Sequence, residues 1–348
     1  DSYKGDINKA FEELKNIIEK AITNEYTLTK SFKQVADAYL DKLKRRVIGA
    51  ENKGLINPEP KVYATGLAPL DELLDGGLRR GLYGIAGQPG IGKTSFILSL
   101  AKLLAENNKK SLIISLEMTD EDLLIQILSW LTGIPKIKLL DENINAFELE
   151  ELEKAVNNPI FKNILVDTGN NIIDAIENRI IEALNDTGGD LVVFIDYLQQ
   201  IKPSKELIKS DYRLQTKDIA YRLKEIANKY NIPVFVISST QRDGYNDKAG
   251  KKPNYIAMFK ESGDIEYSLY AGYFLDYPEN KETNYEKKKH EQVIKIIKVK
   301  SRFGSVKDKD NKFISKIFVL DFKTGELREL QEKNQLKEED EDYEDVDF

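Results

Sequence analysis

The eight residues Gly87, Gln88, Pro89, Gly90, Ile91, Gly92, Lys93 and Thr94 constrain the fold more than any other stretch of this chain. They match the spacing GxxxxGK(S/T), a turn that leaves the end of a buried strand and opens a helix. The chemistry dictates the composition. Glycines let backbone N–H groups curl around phosphate oxygens, and the positive end of the following helix adds to the attraction. A lysine at the seventh position reaches the β- and γ-phosphates of a nucleotide, and the next hydroxyl ligates Mg2+. Lys93 and Thr94 stand there, with Ser95 next in the helix. The apolar run 82–86 precedes the loop and a helical pattern over 94–106 follows it, so the context is the required one. ATP and Mg2+ are the implied ligands.

The rest of the chain supplies a matching framework. Short apolar runs at 82–86, 111–116, 164–167, 191–195 and 234–238 alternate with helical patterns at 94–106, 120–131, 172–185 and 213–230. Continuous apolar strands separated by helices predict a mostly parallel α/β sheet with helices on both faces. Residues 293–300 and 315–320 read as further strands, with a turn at 323–325. Residues 1–47 read as helix, with Phe32, Val35, Ala36, Tyr39 and Leu43 on one face and Thr27 as the cap of its second part. A linker is placed at 49–66, where Gly and Pro punctuate the chain. The expected organisation is an N-terminal helical segment over 1–50, an ATPase domain over 51–330 and a disordered acidic tail over 331–348.

Composition removes several chemistries. The absence of cysteine excludes disulfides, thiolate metal sites and Cys nucleophiles. The lone His290 lies in the charged run EKKKHEQ and reads as a solvated surface residue, which leaves no Ser-His-Asp triad and no His-based zinc site. No apolar run approaches the ~18 residues that would span a membrane. The N-terminus lacks the apolar core of a secretory signal, so a cytoplasmic location is expected. Nine acids and two lysines over residues 331–348 carry a charge equal to the whole chain's −7, so the body is near neutral.

Two carboxylates fall where such a sheet presents residues to a crevice, at the carboxyl ends of strands. Asp196 ends LVVFI and is the natural acid to hold Mg2+ through water. Glu117 ends SLIISLE, where it can orient an attacking water or, alternatively, serve as an acidic neighbour of the next helix's cap. Gln241, after VFVISST, can sense the γ-phosphate by hydrogen bond. Trp130, on EDLLIQILSWLTG, reads as core or interface packing.

In order along residues 62–322, the segments TGLAPLDELLDGGL, GQPGIGKT, SLEM, DYLQ, SSTQR, KESGDIEYS and KSRFG resemble the RecA-fold replicative helicases of the DnaB type. The resemblance implies a RecA-like core and sharper roles. Glu117 is the implied catalytic glutamate, Asp196 the Mg2+ acid, and Gln241 the sensor coupling hydrolysis to the DNA loops. Lys300 and Arg302 are implied to reach the neighbouring subunit's γ-phosphate, where an incoming cation neutralises developing charge. Residues 31–46 resemble a linker helix that packs on an adjacent subunit. The implied activity is that of a ring-forming, hexameric, ATP-dependent DNA helicase moving 5′ to 3′ in replication. The family's N-terminal primase-contacting domain has no room here, so the chain is read as the helicase part of a larger polypeptide, of a phage or mobile-element primase–helicase kind. Departures are Leu269 and Tyr270 in YSLYAGYF, Ser301 where Asn is common, and SVKDKDNK in place of a short turn.

Two loops would face the channel of such a ring and track single-stranded DNA. One carries Lys202, Lys205, Lys209 and Arg213; the other carries Arg242, Lys248, Lys251, Lys252 and Lys260 with Tyr245 and Tyr255. Basic residues interleaved with glycine and aromatics suit a backbone-tracking loop, and equally a solvated one. The acidic tail, ending in Phe348, is a candidate dock for a primase, polymerase or loader, or a solubilising tail. Two rivals share the core motifs: a RadA/Sms-like recombination ATPase, which carries a Cys zinc finger absent here, and a KaiC-like assembly ATPase, which DNA would not stimulate.

Overall fold

The computed structural model describes residues 31–51, 62–204, 207, 210–239, 265–279, 285 and 287–330. Two compact units divide at Lys61 and Val62. In the first, helix α1 (Phe32–Glu51) is capped by Ser31, whose Oγ accepts the Gln34 N–H at 3.2 Å while Gln34 Oε1 accepts the Ser31 N–H at 2.8 Å. That reciprocal cap replaces Thr27, which lies outside the described residues, and the helix runs past the expected end at 47. The apolar positions Phe32, Val35, Tyr39 and Leu43 are exposed.

The second unit is built on one nine-stranded sheet. Its strands are β1 (Gly81–Gly87), β2 (Ser111–Ser115), β3 (Ile164–Asp167), β4 (Val192–Asp196), β5 (Pro233–Ser239), β6 (Ala271–Asp276), β7 (Glu291–Ser301), β8 (Ser315–Asp321) and β9 (Leu327–Leu330), in spatial order 3-2-4-5-1-6-7-8-9. Pairing is parallel from β3 to β6 and antiparallel from β6 to β9. Strands β6 and β9 are additions to the seven expected from the apolar runs.

Period-two alternation sends side chains into two cores. Tyr83, Ile85, Val192, Phe194, Phe235 and Ile237 face one, under α2 (Ala68–Leu73), α3 (Lys93–Glu106) and α4 (Asp120–Thr132). Leu82, Ala86, Val193, Ile195, Val234 and Val236 face the other, under α7 (Ile173–Thr187) and α8 (Tyr212–Lys229). Both faces are covered, so the strands read as unbroken apolar runs. Between them in sequence, α5 (Lys136–Leu140) and α6 (Ala146–Val156) follow α4, and the short α9 (Ile265–Ser268) precedes β6. The mostly parallel RecA-like α/β core is therefore present. No helix among the described residues is long and apolar enough to cross a membrane.

Two smaller expectations are corrected, and a third, Trp130 as core or interface packing, is met as core. Residues 62–66 belong to the second unit rather than to a linker: Tyr63 is buried, and its backbone pairs with Leu78. His290 is half-buried and faces Asp321 across 3.4 Å, because the turn before β7 folds back against the end of β8. Trp130 is core: its indole N–H donates to the Phe322 carbonyl at 3.0 Å, and its ring lies where any side chain at Gly325 would clash. The acidic tail and Phe348 lie outside the described residues.

Candidate nucleotide-binding site

Strand β1 delivers the chain to Gly87, where the loop turns over buried Ile91 and enters α3 at Lys93. Two backbone positions need glycine. Gly90 has φ +80° with open space where a Cβ would point, and Gly92 has φ +97° as the helix cap. With no side chain at either, the loop's N–H groups and the first N–H groups of α3 are left to a ligand.

Around this loop is a cavity of about 550 Å3. Pro89, Gly90, Gly92, Lys93, Thr94 and Ser95 line one side, and Glu117, Asp196, Tyr197 and Ile237 come from the carboxyl ends of β2, β4 and β5. Lys136 and Phe322 complete it. Neither was singled out in the sequence: Lys136 looks like any solvated lysine of IPKIKLL, and Phe322 follows a strand on the far side of the sheet.

Within the cavity, Thr94 Oγ1 donates to Asp196 Oδ2 at 2.6 Å. A hydroxyl and a carboxylate held side by side at this spacing are hard oxygen donors, which fits a Mg2+ ion with its waters. Lys93 Nζ donates to the carbonyls of Gly87 and Gln88, both at 2.9 Å, so the loop itself holds the ammonium over its mouth. Burial pulls the Lys93 pKa down, against the opposing pull of Asp196 and Glu117. Burial likewise pushes Asp196 up, with Glu117 adding to that, while the Thr94 hydrogen bond and Lys93 oppose it. The cavity thus concentrates titratable groups whose charges need one another or a ligand.

Glu117 is exposed on the rim, on a turn fixed by Ser115, whose Oγ donates to the Met118 carbonyl at 2.7 Å and accepts its N–H at 3.0 Å. The cap of α4 is instead a box formed by Thr119 and Asp122. Glu117 therefore has no capping task, and among the described residues its carboxylate has no hydrogen bond or ion pair. Gln199 Nε2 donates to Ser238 Oγ at 3.1 Å, tying the turn after β4 to the end of β5. Gln241 lies beyond β5, outside the described residues.

Lys300 and Arg302 are not brought to this cavity. Lys300 on β7 is opposite Gly272 on β6, which is opposite Gly84 on β1, three residues before the loop. Two strand spacings and three residues along a strand put Lys300 roughly 14 Å from Gly87, beyond the reach of a lysine. Arg302 is exposed and among the described residues has no ion pair. Its backbone is well anchored. The Arg302 N–H donates to the Tyr270 carbonyl at 2.8 Å, Ser301 Oγ accepts the Gly304 N–H at 2.8 Å, and Phe303 packs on the Tyr270 ring at 5.8 Å. Beneath the turn, Lys298 Nζ meets both carboxylate oxygens of Asp75 at 2.6 and 2.7 Å. The departures from the family pattern thus have structural tasks: Leu269 is buried in the second core, Tyr270 bridges β1 to the KSRFG turn, and Ser301 closes that turn.

Of the proposed nucleic-acid contacts, Lys202 and Arg213 are described, both exposed, Lys202 bridged to Ile172 and Arg213 in the first turn of α8. Lys205, Lys209, Arg242, Lys248, Lys251, Lys252 and Lys260 lie outside the described residues.

A glycine loop, a hydroxyl–carboxylate pair and a rim glutamate at the ends of parallel strands define a phosphate-binding α/β domain of the P-loop class. The family model described as "DnaB-like helicase C terminal domain" matches residues 63–321. The chain belongs to that family. It is 33% identical over 214 residues to a probable replicative DNA helicase of Guillardia theta, covering 61% of this chain and 35% of that protein. It is 29% identical over 245 residues to the replicative DNA helicase DnaC of Bacillus subtilis (strain 168), covering 70% and 52%. The chain spans about half or less of the length of these curated relatives. Among solved structures, a DnaB-like replicative helicase described with its primase interactions superposes with a TM-score of 0.66 at 21% identity, covering 93% of this chain and 76% of that one. That likeness shows the shared fold.

Proposed function

We propose that this chain is the motor of an ATP-dependent replicative DNA helicase, an enzyme that hydrolyses ATP between the subunits of a hexameric ring. The observation that carries this reading is the division of the site. Lys93, Thr94, Glu117 and Asp196 surround one cavity, while Lys300 and Arg302 stand beyond reach of it on an anchored turn. A cation so placed serves a neighbour's phosphate and makes hydrolysis depend on assembly.

In this reading, Gly87 to Ser95 cradle the triphosphate, and Lys93 leaves the loop carbonyls for the β- and γ-phosphate oxygens. Glu117 orients the attacking water and accepts its proton. Thr94 and Asp196 would hold Mg2+, which neutralises phosphate charge when bound. Gln241 would sense the terminal phosphate and pass its state to the loops carrying Arg242, Lys248, Lys251, Lys252 and Lys260. These, with Lys205, Lys209 and Arg213, would track single-stranded DNA 5′ to 3′, multivalently around the ring. The domain would extend over 51–330, work in the cytoplasm, and meet a primase, polymerase or loader through the acidic tail.

The test is ATPase rate measured with and without single-stranded DNA, alongside oligomeric state with and without nucleotide. Stimulation by DNA in an oligomer is expected, and Lys93→Ala abolishes hydrolysis. An oligomer whose rate ignores DNA refutes the helicase reading in favour of an assembly ATPase. Full activity in Arg302→Ala refutes the contribution in trans.

A further inference from the structure

Lys136 is a cation that the catalytic constellation above does not use. It begins α5, directly after Pro135, and its side chain forms part of the cavity wall that also holds Lys93, Thr94 and Glu117. Its ammonium donates to Gln126 Oε1 on α4. Gln126 is buried, and among the described residues its amide nitrogen has no partner. Among the described residues Lys136 also has no ion pair, although the chain is rich in lysine–carboxylate pairs on its surface.

This arrangement is unusual for a lysine that serves only the fold. A half-buried ammonium is ordinarily matched by a carboxylate, because partial desolvation penalises the bare charge. Here burial does pull the Lys136 pKa down, and no acid opposes it. The amide oxygen orients the ammonium without cancelling its charge. The ammonium is thereby presented to a cavity whose expected occupant is a polyanion.

We propose that Lys136 is a phosphate ligand supplied by the same subunit as Lys93, and that it takes an oxygen of the terminal phosphate. The reading rests on nucleotide binding at this cavity. The inner phosphates are wrapped by the loop's N–H groups and the start of α3. The terminal phosphate carries the most charge and has oxygens that the loop leaves uncovered, so an additional cation on the cavity wall is matched to it. Gln126 acts as a positioning residue: it holds the ammonium at the wall while the cavity is filled and emptied. The two lysines divide the work, with Lys93 at the β–γ junction and Lys136 on the outer oxygens, so Lys136 distinguishes triphosphate from diphosphate.

The experiment titrates the full chain with fluorescent ATPγS and fluorescent ADP in the presence of Mg2+, comparing wild type with Lys136→Met and Lys136→Arg. Loss of one charge-assisted contact weakens ATPγS about tenfold in Lys136→Met and leaves ADP within about threefold. Lys136→Arg, which keeps the charge, stays within about threefold of wild type for both. In steady-state hydrolysis the Met variant raises KM for ATP by a similar factor. Lys136→Gln is the second uncharged variant, and it gives the same selective loss if the Met side chain disturbs the wall. Unchanged ATPγS binding in both uncharged variants overturns the proposal, as does an equal loss of ATPγS and ADP. A wild-type chain that binds neither nucleotide refutes the nucleotide site itself, which separates the two failures.

Discussion

Replacing Asp75 by Asn takes half of a buried ion pair from beneath the KSRFG turn and leaves the backbone unstrained, since Asn tolerates the φ of +57° found there. The side chain of Lys298 is 2% exposed and that of Asp75 is 42% exposed. This asymmetry sets the magnitude. Removing one partner of a buried pair costs roughly 3–5 kcal/mol, because the other charge is stranded. Water already screens Asp75, and an amide oxygen still accepts one bond, so about 2 kcal/mol is expected for Asp75→Asn. The converse substitution, Lys298→Met, strands only an acid that can turn to solvent, and Met fills the volume of the lysine stem. It should cost less than about 1 kcal/mol. Urea unfolding of each variant, followed by circular dichroism, reads the difference as a shift of midpoint at equal slope. The double variant should fall near Lys298→Met alone, because nothing remains to be stranded. If Lys298→Met destabilises as much as Asp75→Asn, or if Asp75→Asn unfolds with wild type, the stranded-charge argument fails.

Three further outcomes follow from the packing. A Cβ at Gly304 would lie 2.5 Å from Asp75 Oδ2, so Gly304→Ala should displace the KSRFG turn and lower ATPase activity with little change in nucleotide affinity, checked by parallel titration and turnover. Gly325 has φ +64° and its Cβ would lie 2.2 Å from Trp130, so Gly325→Ala should cost roughly 2–4 kcal/mol in urea unfolding and change Trp130 fluorescence. Glu291 is held to about 2 by hydrogen bonds from Tyr285 and the Lys288 N–H, and by Arg328. A depressed carboxyl stabilises the fold above its unfolded value near ~4.3 and loses that contribution as pH falls toward its folded value. Between pH 5 and 2, Glu291→Gln should therefore flatten the acid dependence of the thermal midpoint; an unchanged slope would show that the clasp carries no linkage.

The central strands were legible in the amino-acid sequence because burial on both faces turns them into apolar runs, as in LVVFI and VFVIS. The phosphate loop was legible because its backbone requirement writes itself as glycine spacing. Strand β6 was not, since AGYFLD follows two residues, Leu269 and Tyr270, that read as departures from a pattern rather than as a strand's approach. Helix α6 is marked in the sequence by its capping box alone, Asn145 with Glu148. Lys136 could not be singled out, because nothing local separates a lysine that turns into a cavity from one that turns to water. Its environment is made by Gln126, ten residues away across the turn between helices α4 and α5.

The join between β1, β6 and β7 has a mechanical consequence. Gly84, Gly272 and Lys300 lie in register across three adjacent strands. In the proposed ring, the loop that would grip one nucleotide and the cations that would be offered to the next are thus teeth cut on a single casting. Backbone hydrogen bonds across those strands resist any sliding of one set against the other. In the proposed ring, the gap between a loop and its neighbour's cations then opens or closes by tilting whole subunits, as meshed gears do. Each hydrolysis would turn a body rather than bend one.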